Sequence, residues 1–406
     1  VVGSEQRGDS ADSPTRIWNG TFISIFLANM AFSLGQQMSN SLLAKYADSM
    51  GAPASQIGML MGMFAVTALS LRFVAGPVMD TYNKKFLLMG AMGIMAVAYV
   101  GFSLSGSIRS LMGFRLLQGC GNAFGNSVCL AMVSEALPKD KFGAGMGYYS
   151  LAQVIVQAIA PTIGLYLVDW TGYNATYLIN AAIMVCAIAA AARIRLDHTR
   201  SKKLKLALDT IIAKEAMLPA FILFLLAIGF HTINSFLIVF AGKRGITSNI
   251  GLFFTVYALT LFFTRPMVGR LTDKYGLVKV AIPAIFCTAS SFVIISQAAT
   301  LPAFLAAAFV NAFGFGACQP ALQSVAMKTV PRSRRGSASS TNYIGMDTGT
   351  IIGPVIAGNI AQHFGYVSMW YLQTIPFIAA MAVLFAARKR IAKIERDFLD
   401  MNEAAA

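Results

Sequence analysis

Twelve apolar stretches follow one another along this chain, each close to the roughly 20 residues that cross a bilayer as a helix. They cover residues 17–43, 54–79, 86–106, 109–136, 145–168, 175–193, 216–241, 248–268, 279–298, 302–327, 338–361 and 368–387. The polar breaks between them are short, with one exception, the basic stretch 194–215 between the sixth and seventh. The pattern predicts an all-α membrane protein with six spans on either side of a linker. Its parts are a tail (1–16), an N-terminal six-helix bundle (17–193), a linker (194–215), a C-terminal bundle (216–388) and a second tail (389–406). The linker has the composition of a short amphipathic helix lying on a membrane surface.

The two sets of six spans repeat one another. Arg72, Gly76, Asp80 and Tyr82 in RFVAGPVMDTY reappear 193 positions later as Arg265, Gly269, Asp273 and Tyr275 in RPMVGRLTDKY. The same offset pairs Gly121 with Gly314, Pro138 with Pro331, Pro161 with Pro354, and Gly172-Tyr173 with Gly365-Tyr366. In the first and seventh spans the offset is 194, so Gln37 matches His231, Asn40 matches Asn234 and Ser41 matches Ser235. Residues three apart share a helix face, and a polar face within a span turns toward the bundle or a water-filled cavity. Parallel repeats with a site at their interface are a recurrent transporter plan.

Composition agrees. Charged residues are 12% of the chain, about half the roughly 25% of a soluble domain, and the mean hydropathy is +0.64. The net charge of +15 does not mark a nucleic-acid partner, because 25 of the 32 Lys and Arg fall on one side if both termini are cytoplasmic. That is the positive-inside pattern, and it sets topology. Lys202, Lys203 and Lys205, with Arg388-Lys389-Arg390, can also touch anionic membrane lipid. The five cysteines all sit in apolar spans without metal-binding spacing and read as small buried hydrophobes. Residues 1–16 lack the layout of a cleavable signal, so the first span is expected to act as the insertion signal.

The two copied loops resemble the signature of the major facilitator superfamily, Gly-x-x-x-Asp-x-x-Gly followed by two basic residues. The first copy runs from Gly76 to Lys85, with Asn83 where the family usually has glycine; asparagine also tolerates positive φ. The second copy keeps Asp273 and Gly276. The resemblance implies a cytoplasmic latch between alternating states, formed here by Arg72, Gly76, Asp80, Arg265, Gly269 and Asp273, with Glu135 pairing to Arg72 or a similar gate residue. The plainer reading is a topogenic loop with helix caps. Arg115-Leu-Leu-Gln118-Gly119-Cys-Gly121 is similar to the Arg-x-x-Gln-Gly-x-Gly pattern of proton-coupled members, whose arginine serves coupling. Ala160-Pro161 with Gly164, and Gly353-Pro354 with Gly358, partly match the Gly-Pro motif of drug:proton antiporters and imply export. By that resemblance the chain is a multi-pass protein of a bacterial cytoplasmic (inner) membrane.

The residues themselves suggest where the chemistry lies. An arginine inside a span costs about 2.5–3.5 kcal/mol on insertion scales, so Arg115 either has a task or snorkels to the outer interface. Arg115, Gln118, Asn122 and Asn126 share a helix face; their counterparts are Ala308, Asn311, Phe315 and Gln319. Asp347, opposite Val154 in the repeat, is the acidic residue deepest in any span. It can act as proton carrier, as counter-ion for a cationic substrate, or as a structural partner. His231 can titrate or hydrogen-bond substrate, or be a satisfied buried histidine. Around these three proton-coupling candidates (Asp347, Arg115, His231) the expected substrate site adds Gln37, Asn40, Asn122, Asn126, Gln153, Gln157, Asn234, Asn311, Gln319 and Tyr343. Gln36, Gln323 and Tyr149 are further wall residues. A pocket of amides, aromatics and methionines suits an amphipathic organic solute.

The expected function is proton-coupled export of amphipathic organic compounds, with small-molecule substrate, protons and lipid as partners and a monomeric chain. The alternative is a symporter importing an organic anion; a non-transporting sensor is a third reading. No catalytic constellation, metal set or Walker-type loop is apparent, so neither an enzyme nor a cofactor is expected.

Overall fold

The structure, a computed structural model, describes residues 17–137, 142–194, 212–330 and 335–403, and within these it is helical without strands. Polar residues mark where the helices start. Asn19 accepts from Phe22 N (2.8 Å) to open α1 (Gly20–Ser49). Pro53 precedes α2 (Ala54–Thr81), and Asn83 caps α3 (Lys84–Leu104) by accepting from Lys85 N at 2.9 Å. Ser107 caps α4 (Ile108–Ala136). Each cap satisfies an N–H that the helix cannot bond itself, which matters most near lipid.

The fifth and sixth spans form one helical run, α5 (Phe142–Ala192), turned back on itself at Gly172 (φ 78°). After a short 3-10 turn (Lys214–Ala216) come α6 (Met217–Lys243), α7 (Leu252–Tyr275), α8 (Leu277–Gln297), α9 (Leu301–Ala312) and α10 (Phe315–Lys328). Then α11 (Arg335–Leu372) turns at Gly365 (φ 83°), the repeat partner of Gly172. A side chain at either glycine would be strained, so these two reversals require the residue the repeat preserves. α12 (Ile375–Ala386) and the polar, amphipathic α13 (Arg388–Glu403) close the chain.

Among the described residues, seven stretches of helix are long and apolar enough to cross a membrane. Two of them, 152–192 and 340–386, are each long enough for two crossings. The remaining three crossings are α1 and α4, which carry more polar residues, and the α9–α10 pair, whose two helices are each too short to cross alone. Twelve crossings result.

Three details differ from the sequence expectation. The tenth span is two helices, parted at Gly314 (φ −91°, ψ −107°), which lies against Ala284 and Thr288 of α8. Its counterpart Gly121 sits in the unbroken α4. The twelfth span is interrupted at 373–374, just ahead of Pro376, which occupies the first turn of α12. Asn83 does not take the positive φ expected of a glycine substitute: it lies at φ −64° and works as a cap, whereas its counterpart Gly276 has φ 83°.

The halves, α1–α5 and α6–α12, meet along α2–α11, α5–α7 and α1–α6. The α2–α11 seam is glycine on backbone. An added Cβ at Gly58 would strike the Pro354 carbonyl, at Gly62 the Ile351 carbonyl, and at Gly358 the Ala54 carbonyl. On the other side, Thr255 Oγ1 donates to the Ala158 carbonyl (2.7 Å) and the Tyr166 hydroxyl to Asn249 Oδ1 (2.8 Å). Ser55 N donates to Gln362 Oε1 (3.3 Å), and Lys243 pairs with Asp48 at 3.6 Å. These contacts gather at the end of the bundle that carries residues 48–55 and 245–251.

A leucine forced into this seam has nowhere to go, and overpacking costs about 1–3 kcal/mol. Gly58→Leu is expected to lower the melting temperature in detergent and to raise maleimide labelling of a cysteine placed at Ser55. Unchanged melting and labelling would contradict a close-packed seam.

Candidate functional site

Between the halves lies a cavity of about 610 Å³, roomy enough for a drug-sized molecule. Its floor and walls come from both repeats. α1 contributes Gln37 and Asn40, α4 contributes Arg115, Asn122 and Asn126, and α5 contributes Gln153 and Gln157. From the second half, α6 supplies His231 and Asn234 and α11 supplies Tyr343 and Asp347. The structure thus brings eleven of the thirteen residues expected at a substrate site to one surface. The other two stand behind it. Asn311 lines a smaller neighbouring pocket, and Gln319 donates to the sulfur of Met346 (3.3 Å), itself a cavity residue.

Arg115 does not reach the outer interface; only 2% of it is exposed. Its Nη1 donates to Asn40 Oδ1 at 3.0 Å and to Gln118 Oε1. The Phe64 ring lies over the guanidinium, 4.6 Å from centroid to Cζ. Gln118 is held in turn by donating to Ser39 Oγ at 3.2 Å. Among the described residues no carboxylate pairs with Arg115, so its charge is met by amide oxygens and a ring face. Among the described lining residues Asp347 is the one carboxylic acid, and it is buried.

The amides of α4 are partly occupied by one another: Asn126 Nδ2 donates to Asn122 Oδ1 at 2.8 Å. Tyr149 closes the wall by donating to Asn29 Oδ1 at 3.1 Å. His231 packs edge-on against Phe230 and presents its ring to the cavity. A sixth helix adds an apolar wall: Met61, Phe64, Ala65 and Ala68 of α2. Sequence reasoning missed this wall, because an apolar residue in an apolar span offers no contrast with a lipid-facing one. A signal existed for Phe64, whose repeat partner is Tyr257, a hydroxyl at the same depth.

Of the gating residues, Arg265 sits part-buried in α7. Arg72, Gly76 and Asp80 fall in α2, Glu135 in α4, and Gly269 and Asp273 in α7; their side chains lie outside the described residues, as does most of the linker. Among the described residues no His, Cys, Asp and Glu cluster could hold a metal.

The family model described as Major Facilitator Superfamily matches residues 25–248 and 219–398. The chain belongs to that superfamily, and is therefore a multi-pass membrane transporter of small molecules rather than an enzyme. Similar proteins include a "Multi-drug resistance efflux pump PmrA homolog" of Lactococcus lactis, 25% identical over 84% of this chain and 88% of its own. The "Multidrug resistance protein MdtG" of Klebsiella pneumoniae is 23% identical over 93% and 94%. An uncharacterized transporter of the same type from Methanocaldococcus jannaschii is 24% identical over 86% and 94%. The fold resembles the crystal structure of the nucleoside transporter NupG (TM-score 0.73, 13% identity, 91% of this chain and 98% of that one). It also resembles a POT family transporter in complex with 5-aminolevulinic acid (TM-score 0.75, 12% identity, 92% and 96%).

Removing the acceptor of a buried charged donor leaves that donor unpaired, at a cost of about 1–3 kcal/mol or more. Gln118→Leu is therefore expected to destabilise the protein more than Asn126→Ala, whose partner Asn122 can turn to cavity water. Thermal unfolding in detergent checks this; equal stability would mean that Gln118 does not support Arg115.

Proposed function

We propose that this chain is a secondary transporter that exports amphipathic organic compounds in exchange for protons, by alternating access across a bacterial cytoplasmic membrane. The observation that carries this reading is the central cavity, where, among the described residues, one carboxylic acid, Asp347, and one cation with no acidic partner, Arg115, are set among amides and aromatic faces. The relatives named as multidrug efflux pumps support the export direction. With both termini in the cytoplasm, the closed end at residues 48–55 and 245–251 is the outer one, and the cavity belongs to a state accessible from inside.

In this scheme Asp347 holds the proton and Arg115 supplies a fixed positive charge. The ionised acid balances the arginine and welcomes a cationic or neutral amphipath. The protonated acid leaves the cavity positive and releases a cation. Loading by substrate and by proton then exclude one another, which is what exchange requires. Gln37, Asn40, Asn122, Gln153, Gln157 and Asn234 orient polar groups of the solute, Tyr343 and Phe230 its rings. The paired loops around Asp80 and Asp273, with Arg72, Arg265 and Glu135, serve as the cytoplasmic latch.

A second reading, import of an organic anion with protons, draws on Arg115 and His231 both lining the cavity.

Purified protein in liposomes under an imposed pH gradient separates the two. One pH unit stores about 1.4 kcal/mol per proton, so one-for-one exchange concentrates substrate up to about tenfold. Accumulation of amphipathic cations against protons leaving the vesicle, lost in Asp347→Asn, is the expected result. Accumulation of anions together with entering protons favours symport. If flux ignores the gradient and Asp347→Asn transports normally, coupling through Asp347 is wrong.

A further inference from the structure

The nest that holds Arg115 has a counterpart in the second half from which the arginine is missing. Arg115 is replaced by Ala308, and Ser39, which steadies Gln118, by Ile233. The rest of the nest is kept in kind: Asn40 becomes Asn234, Gln118 becomes Asn311, and Phe64 becomes Tyr257. These last three, with Ile233, line one small pocket of about 10 Å³ beside the main cavity. Gln157, Phe230 and Asn234 border both spaces, so a single layer of side chains parts them.

Asn311 is fully buried, and among the described residues neither its Oδ1 nor its Nδ2 has a hydrogen-bond partner. Its N-terminal-half counterpart Gln118 spends its amide on Arg115 and Ser39. The duplication thus kept an amide and lost both of its partners. A buried amide left unpaired is costly, and one facing a pocket next to a transport cavity points to a ligand group.

We propose that this pocket is a hydroxyl-binding subsite of the transport cavity, with Asn311 and Asn234 as the recognising residues. The inference rests on the proposed function and names a chemical feature of the transported compounds. A space of this size holds about one water-sized group. Asn311 needs a donor for Oδ1 and an acceptor for Nδ2, and a hydroxyl is both at once. An ammonium only donates and would leave Nδ2 unpaired. A carboxylate only accepts. The rings of Phe230, Phe253, Phe254 and Tyr257 surround the pocket, so a hydroxyl that enters exchanges water for a drier, stronger hydrogen bond.

The test is equilibrium binding to the purified full chain in detergent, by calorimetry, with no pH gradient. The probes are phenylalkylamine and quinoline compounds, each compared with its form lacking one hydroxyl. The parent protein is expected to prefer the hydroxylated form by roughly five- to hundredfold, the equivalent of about 1–3 kcal/mol. Asn311→Leu is expected to bring each pair within about twofold, by weakening only the hydroxylated member. Ile233→Ser, which gives Asn311 back an internal partner, narrows the gap without deleting the amide. Pairs bound alike by the parent, or a preference that survives both substitutions, would overturn the subsite while leaving the exporter reading intact. Absence of binding by every compound would overturn the amphipathic-substrate reading and the subsite with it.

Discussion

A guanidinium at membrane depth must be answered by something, and in this chain the answer is neutral. Arg115 is met by the amide oxygens of Asn40 and Gln118 and by the face of Phe64. That arrangement ties α1, α2 and α4 together around one head group. Among the described residues no acid cancels the positive charge, and in a low-dielectric interior such a charge reaches across a cavity. The electrostatic character of the central space therefore turns on a single acid on the opposite half, Asp347. The other described residues that line the cavity are polar without charge or simply apolar, apart from the histidine.

The duplication explains how such a site is built. Both halves share helix order, the reversals at Gly172 and Gly365, and polar residues at matched depths. Chemistry enters where the copies diverge: an arginine on one side against an alanine, an aspartate against a valine, a serine against an isoleucine. The shared scaffold places these differences face to face, so neither half contains the site alone.

The fold was legible in the sequence because its signals are long and redundant. Apolar stretches of membrane length are hard to mistake, and the repeat supplies a second copy of each. The positions around the cavity were legible wherever a polar residue broke an apolar span, as with Gln37, Asn122 or Asp347, since lipid excludes such groups. Three kinds of feature escaped. The apolar wall of α2 has no contrast with lipid-facing surface. The break at Gly314 carried no signal: its counterpart Gly121 presses on α3 just as closely, yet sits in an unbroken helix. Asn83 was read by its tolerance for positive φ, but its side chain found a better use as a cap, which needs the ordinary φ.

The glycine seam between α2 and α11 carries a last implication. Backbone lies on backbone at Gly58, Gly62 and Gly358. Knobs seated in holes resist sliding, whereas smooth ribbons let one body roll over another with little resistance. The seam has the surface finish of a bearing. A machine that must rock thousands of times without unfolding is well served by a joint that fits closely and grips nothing.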